Sequence, residues 1–262
     1  MSGPLVAERL SVGHDGRTIL ADVDFTLPAS AVTVLVGPNG CGKSTMLRTL
    51  AGLQRPTGGQ VRVLGDPLDK LSRRELSRRL AFLPQTPLVP AGITVRELAR
   101  NGRYAHRGAF SRHTTEDLEA VEWALRVTNA LPLAEKRMNE LSGGERQRAW
   151  LAAVLAQKAD ILLLDEPTTY LDLRYQVEVL EVVRALAHEY GMACGLVLHD
   201  LGQASSYGDR VMLTAGGEIL GYGEPAEVLT SESIARAFGL DVKVVHDPET
   251  GGIACFPRTS PN

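Results

Sequence analysis

The sequence lacks the features that mark secreted, membrane-spanning or nucleic-acid-wrapping chains. Its three cysteines, Cys41, Cys194 and Cys255, are odd in number, far apart and form no Cys-x-x-Cys pair. Neither a disulfide framework nor a zinc site is legible in them. Lys plus Arg number 28 against 31 Asp plus Glu, a net charge of -3, so the basic excess of a nucleic-acid-wrapping chain is missing. Residues 1–10 hold no basic cluster followed by an apolar run, and no export signal is expected. The richest apolar stretch, residues 150–164, is broken by Gln157, Lys158 and Asp160, short of the roughly 20 residues that cross a bilayer. No internal repeat or low-complexity tract stands out. What remains is a chain of 262 residues, 44% of them apolar, with room for a sizeable core in one or two domains. It is expected in the cytosol, with any membrane connection supplied by a partner.

Alternating apolar residues over 5–12 and 23–27 predict strands separated by a turn around His14, Asp15 and Gly16. A short apolar run, 32–36, stops at Gly37-Pro38-Asn39-Gly40, and helical spacing resumes at Lys43 with Met46, Leu47 and Leu50 before Gly52. Residues 61–64 and 80–83 are further strand candidates. From Pro87 to about Leu155 strand-like runs vanish and helix formers dominate, over 95–103, 115–128 and 145–157, as in a helical insertion within an α/β chain. Strands return at 161–164, 194–198 and 211–214. Between the first two, Leu173, Val177, Leu180, Val183, Ala187 and Tyr190 form one stripe of a helix stopped by Gly191. The tail after Asp247 is weakly patterned.

Three segments carry chemistry. Gly37-Pro38-Asn39-Gly40-Cys41-Gly42-Lys43-Ser44-Thr45 fits G-x-x-x-x-G-K-[ST]. Its glycines let backbone N–H groups curl around phosphate oxygens, and the following helix aims its positive end at them. Lys43 is expected to reach the β- and γ-phosphates, and Ser44 to hold Mg²⁺. The apolar run Ile161-Leu162-Leu163-Leu164 ends in Asp165 and Glu166, two carboxylates that are costly to bury unless a cation and a proton-transfer task use them. Asp165 is assigned to the Mg²⁺ shell and Glu166 to orienting and polarising the attacking water.

The third segment is Leu141-Ser142-Gly143-Gly144-Glu145-Arg146-Gln147-Arg148. Ser142 and Glu145 form a capping box, which leaves the two glycines unexplained, since each costs up to about 1 kcal/mol in a helix. They suggest a close approach to the backbone, at a helix N-terminus that is itself an anion site. One chain then has two phosphate-binding helix starts and one cradle lysine. A head-to-tail dimer resolves this, with Ser142, Gly143 and Gly144 of one subunit covering the γ-phosphate bound by the other.

In this order and spacing the three segments resemble the nucleotide-binding subunit of an ABC transporter, over nearly the whole chain. The resemblance implies an α/β P-loop NTPase core, an N-terminal antiparallel β region and an inserted α-helical subdomain. As one ABC ATPase domain, 1–262, it divides into a core at 1–86 and 155–262 and a signature-bearing helical part at 87–154. It implies ATP and Mg²⁺ as cofactors. It also assigns Gln85 to the loop that links Mg²⁺ and the attacking water to the helical insertion, His199 to the γ-phosphate, and Asp172 to the dimer interface. Where the family usually stacks an aromatic residue on adenine, this chain has His14, an imidazole of smaller area than tyrosine.

The segment 91–113 carries Arg96, Arg100, Arg103, Arg107 and Arg112 with Tyr104 and His106. It resembles the surface that receives the membrane subunits, in keeping with the enrichment of Arg and Tyr at interfaces. Arg73, Arg74, Arg78 and Arg79, interleaved with Glu75, read as an ordinary exposed helix face. Gly102-Arg103-Tyr104-Ala105-His106, the run from Asp165 to Asp172 and the tail 242–257 are similar to ATPases of the ferric-siderophore, haem and cobalamin importers, and Tyr170 before Leu171-Asp172 is most like the siderophore members. The implied partners are a second copy, two transmembrane permease subunits and a substrate-binding protein upstream, with no nucleic acid. The implied location is the cytoplasmic side of the membrane. Haem or cobalamin import is the alternative within this class, and a soluble ABC-type ATPase is the rival outside it.

Overall fold

The computed structural model describes residues 3–14, 17–88, 92–107, 113–247, 249 and 251–258. The chain begins with strands β1 (Leu5–His14), β2 (Arg17–Leu27) and β3 (Ala31–Val36), then helix α1 (Lys43–Leu50). Strands β4 (Gly58–Val63) and β5 (Asp66–Pro67), helix α2 (Arg73–Arg79) and strand β6 (Leu80–Leu83) follow. Next come helices α3 (Val95–Asn101), α4 (Thr115–Val127) and α5 (Gly143–Leu155), then β7 (Ile161–Asp165), α6 (Leu173–His188) and β8 (Ala193–Val197). The last part comprises α7 (Leu201–Tyr207), β9 (Arg210–Ala215), β10 (Glu218–Gly223), α8 (Pro225–Val228), α9 (Ser231–Phe238), β11 (Val242–His246) and β12 (Ile253–Pro257).

The central sheet has the order β10-β9-β3-β8-β7-β6, with β10 antiparallel and the other five strands parallel. Every residue of β7 and β8 is buried, which is why they read as unbroken apolar runs. Alternate residues serve opposite faces. Leu35, Leu163, Val197 and Met212 join α1 and the antiparallel sheet β2-β1-β4-β5 in one core. Val34, Leu162, Leu164, Leu196 and Leu213 join residues of α3, α4, α5 and α6 in the other.

The expected pattern of elements holds, with instructive departures. β2 begins six residues before the predicted strand, because register shifts against β1 and the positive φ of Asp22 break the alternation that marks a strand. The predicted helix 95–103 ends at Asn101 and continues as a 3₁₀ turn, Gly102–His106. The buried stripe of α6 is Val179, Leu180, Val183, Leu186 and Ala187. Leu173 is instead 72% exposed, and Tyr190, beyond the helix, lies edge-on to Trp123. The weakly patterned tail forms the hairpin of β11 and β12, in which only Val242 and Ile253 are buried. Of the expected turn at residues 14–16, Asp15 and Gly16 lie outside the described residues, as does Arg112.

Candidate functional site

The parallel register brings the carboxyl ends of β3, β6, β7, β8 and β9 to one edge, the usual place for a ligand in an open α/β sheet. Four of them continue into a segment singled out by sequence: Gly37 to Lys43 after β3, Gln85 after β6, Glu166 after β7 and His199 after β8.

The loop after β3 turns through three positive-φ glycines, Gly37, Gly40 and Gly42. At Gly37 a Cβ would overlap the Thr214 carbonyl oxygen, so the loop can lie against β9 only without a side chain there. Lys43, buried, donates from Nζ to the Gly37 and Pro38 carbonyls at 2.8 and 2.9 Å. Its ammonium is thereby held inside the loop whose N–H groups would take phosphate oxygens. Cys41 Sγ lies 3.1 Å from Thr214 Oγ1, tying the loop to β9.

In the first turn of α1, Ser44 donates from Oγ to Asp165 Oδ1 at 2.7 Å, and one turn on Arg48 Nη2 lies 3.4 Å from Asp165 Oδ2. The Asp165 side chain is fully buried, so these two partners offset the cost of its charge. Arg48 was not singled out from sequence; its place four residues after Ser44, on the same helix face, was the available signal. Among the described residues no group of three or more His, Cys, Asp or Glu could hold a metal ion. The Ser44 hydroxyl and Asp165 carboxylate are nevertheless hard oxygen donors on one spot, which fits an ion that completes its shell with phosphate oxygens and water.

Glu166 is the best-connected side chain of the edge. Gln85 Nε2 donates to its Oε2 at 2.5 Å, Thr169 Oγ1 to the same oxygen at 3.1 Å, and His199 Nε2 lies 2.8 Å from Oε1. Three strand ends thus converge on one carboxylate. Its backbone has φ 53, a left-handed conformation costing about 1 kcal/mol or more for a residue with a side chain. Glu166, Lys43, Ser44, Thr45, Asn39, Gly40 and Gly42 line a hollow of about 170 Å³. Asn39 and Gly40 also line a separate cleft of about 880 Å³ whose wall includes His14, Arg17 and the Gly216-Gly217 turn. Among the described residues no Phe, Tyr or Trp lines that cleft.

The signature segment stands apart. The Ser142 N–H donates to Glu145 Oε2 at 2.9 Å and its hydroxyl accepts from the Glu145 N–H at 3.4 Å, completing the capping box of α5. The two glycines have different causes. Around a Cβ at Gly143 there is nothing within 4 Å, whereas a Cβ at Gly144 would overlap the Tyr175 ring of α6. The close approach inferred at Gly144 is therefore met inside the chain, by Tyr175. Asp172 caps α6 by accepting from the Tyr175 N–H at 3.1 Å. Among the described residues none of the hydrogen bonds joins Ser142, Gly143, Gly144 or Asp172 to Lys43 or Glu166.

The arginine-rich surface is corrected in part. Arg103 is 2% exposed, with Nε on Asp117 Oδ1 at 2.8 Å, so it faces inward. Arg96 is engaged by Glu122 and, at 2.7 Å, by Glu135. Tyr104 remains 75% exposed. On α2, Arg74 and Arg78 are not an idle exposed face: both hold the Ala105 carbonyl, at 2.8 and 2.9 Å, and Arg79 pairs with Asp66 at 2.6 Å.

No helix among the described residues is long and apolar enough to cross a membrane. Similar proteins agree with the geometry. A family profile described as ABC transporter matches residues 20–169. The iron(3+)-hydroxamate import ATP-binding protein of Bacillus subtilis (strain 168) is 39% identical, over 96% of this chain and 94% of its own. The ferric enterobactin transport ATP-binding protein of Escherichia coli (strain K12) is 41% identical over 98% and 96%. Among solved structures, a chain of an inward-facing ABC transporter of metal-chelate type superposes with a TM-score of 0.85 at 27% identity, covering 98% of both chains. A dimeric ATP-binding cassette in a post-hydrolysis state, bound to ADP and Pi, gives a TM-score of 0.73 at 26% identity, over 84% of this chain and 98% of that one. With its phosphate loop, paired carboxylates and signature helix in the arrangement of such cassettes, the chain belongs to the ABC transporter family, as an ATP-hydrolysing subunit.

Proposed function

We propose that the chain is the energy-coupling subunit of an importer for ferric siderophores, working as a head-to-tail homodimer. It sits peripherally at the cytoplasmic face of the membrane against two permease subunits, with a substrate-binding protein upstream. The observation that carries the ATPase chemistry is the Glu166 carboxylate, held between Gln85 and His199 beside the phosphate loop. The siderophore assignment draws on the relatives' stated substrates and on Tyr170 before Leu171-Asp172.

In this reading residues 1–86 and 155–262 form the core and 87–154 the signature-bearing unit. Backbone N–H groups of the loop from Gly37 to Ser44 and the start of α1 take the phosphate oxygens, Thr45 included, and Lys43 turns from its own loop carbonyls to the β- and γ-phosphates. Ser44 and Asp165, with Gln85 nearby, hold Mg²⁺, which when bound neutralises phosphate charge. Glu166 accepts a proton from the attacking water; Gln85 and Thr169 fix its carboxylate, and His199 contacts the γ-phosphate. His14 lies against the adenine. Ser142 and Gly143 of the second copy close over the γ-phosphate, Gly144 lets their helix sit on Tyr175, and Asp172 lies at the dimer interface.

Uptake of a ferric siderophore, haem and cobalamin in cells lacking the chain tests the reading. Loss of siderophore uptake alone supports it. Undiminished siderophore uptake, or loss of haem or cobalamin uptake instead, overturns the substrate assignment.

A further inference from the structure

The 3₁₀ turn Gly102–His106 joins two parts of the molecule that sequence reading treats separately. Towards the core, Arg74 of α2 donates from Nε to the Ala105 carbonyl at 2.8 Å and from Nη2 to the Arg107 carbonyl at 2.9 Å. Arg78 adds a third bond, Nε to the Ala105 carbonyl at 2.9 Å. Towards the signature helix, Arg103 Nη1 donates to the Ala156 carbonyl at 3.1 Å and His106 Nε2 meets the Gln157 carbonyl at 2.7 Å. A carbonyl only accepts, so the His106 proton is on Nε2. Both carbonyls lie at the end of α5, where helical partners run out.

Backbone packing supports the same joint. A Cβ at Gly102 would overlap the Ala153 carbonyl oxygen and lie 3.2 Å from Ala156 Cβ, so α5 rests directly on the turn. Arg103 also reaches α4, at Asp117. Burial raises the Asp117 carboxyl, but the Thr114 and Arg103 hydrogen bonds outweigh it and hold the group down to about 2. It therefore stays charged and keeps the guanidinium aimed at α5.

We propose that this turn is the positioning element of the signature segment: Arg74 and Arg78 anchor it to α2, and Arg103 and His106 fix the far end of α5, so that the turn sets where Ser142 and Gly143 stand. Helix α5 has 13 residues, roughly 20 Å at 1.5 Å each, and acts as a lever from the turn to its glycine end. That end rests on the buried Leu141 and Ala149, on the Tyr175 contact and on the Lys136–Glu145 and Arg148–Glu178 pairs. The exposed Tyr104 at the apex makes the turn a natural handle for a docking partner. The inference rests on the reading that Ser142 and Gly143 complete the site of a second copy.

The test uses the purified full-length chain and His106, since Arg103 is buried and its loss invites unfolding. His106→Ala is expected to slow ATP turnover about five-fold, with affinity for a non-hydrolysable ATP analogue changed less than about two-fold, because the phosphate loop is untouched. His106→Asn, whose amide can still donate to the Gln157 carbonyl, is expected to restore most of the rate. Unchanged turnover in His106→Ala, no rescue by asparagine, or affinity falling in step with turnover would each overturn the proposal. Lys43→Ala, run alongside, separates the two claims: if it binds and hydrolyses ATP normally, it is the reading of the site that fails.

Discussion

The starts of α1 and α5 both carry glycine, Gly42 just before α1 and Gly143-Gly144 as the first residues of α5, and only one of the two is furnished for chemistry. The start of α1 meets Lys43, the Ser44–Asp165 pair and, across the sheet edge, Glu166 with Gln85 and His199. The start of α5 has a serine occupied by its own capping box and an exposed Gly143. Both present free N–H groups, but at α5 the charged neighbours are spent on each other, Lys136 on Glu145, and Glu145 also on the Ser142 N–H. The difference fits the role proposed for the α5 end, which is to contact a phosphate held elsewhere and not to process one. The proposed division of labour between two copies is consistent with that asymmetry.

The largest expected effect breaks the comparison at its furnished end. Glu166→Gln keeps the size of the side chain and one oxygen to accept from Gln85 and Thr169 but removes the base, so turnover should fall by roughly 10²- to 10⁴-fold while nucleotide affinity is retained. Single-turnover hydrolysis beside equilibrium binding measures both; near-normal hydrolysis would remove Glu166 from the role. A second experiment tests the sharing itself. Lys43→Ala and Ser142→Ala proteins, each slow alone, should turn over faster when mixed, because a head-to-tail heterodimer regains one intact pair of ends. A mixture no faster than its components would place both ends in separate duties.

Gly144→Ala should act on stability. The added Cβ strikes the base of the Tyr175 ring, which cannot swing away as a flexible chain end would, and overpacking of this kind costs about 1–3 kcal/mol. Thermal unfolding should show it, and adding Tyr175→Ala should relieve much of the loss relative to Tyr175→Ala alone. Additive losses would mean that the ring is not what demands the glycine.

The furnished end was largely legible in the sequence, because its requirements are local. Lys43 and Ser44 stand together at the start of α1 and Asp165 and Glu166 at the end of one apolar run, while Gln85 and His199 came from the family resemblance. What could not be read was contact across elements. Nothing local announces that Gly144 answers to Tyr175, thirty-one residues on, or that Arg103 turns inward to Asp117 while Arg74 and Arg78 reach a neighbouring turn. An arginine run looks the same in sequence whether it is solvated or spent on carbonyls. The elements that escaped notice, β5, α7, β10, α8, α9 and the terminal hairpin, are short. Their periodicity has little room to show, although Asp200 and Thr230 carry the capping signal.

Gly143→Ala is the smallest change and the sharpest divider between the two glycines. With nothing within 4 Å of the added methyl group and a helical position that favours alanine, stability should stay within about 0.5 kcal/mol of the parent or rise slightly. If the backbone here is left bare for a phosphate on a second copy, the methyl group should still slow turnover, and more in dilute protein than in concentrated, because it weakens the closed dimer. Melting temperature and rate against concentration, measured together, read the two effects apart. A variant as stable and as fast as the parent at every concentration would leave Gly143 without a task. The contrast between α1 and α5 would then reduce to one phosphate site and one ordinary capped helix.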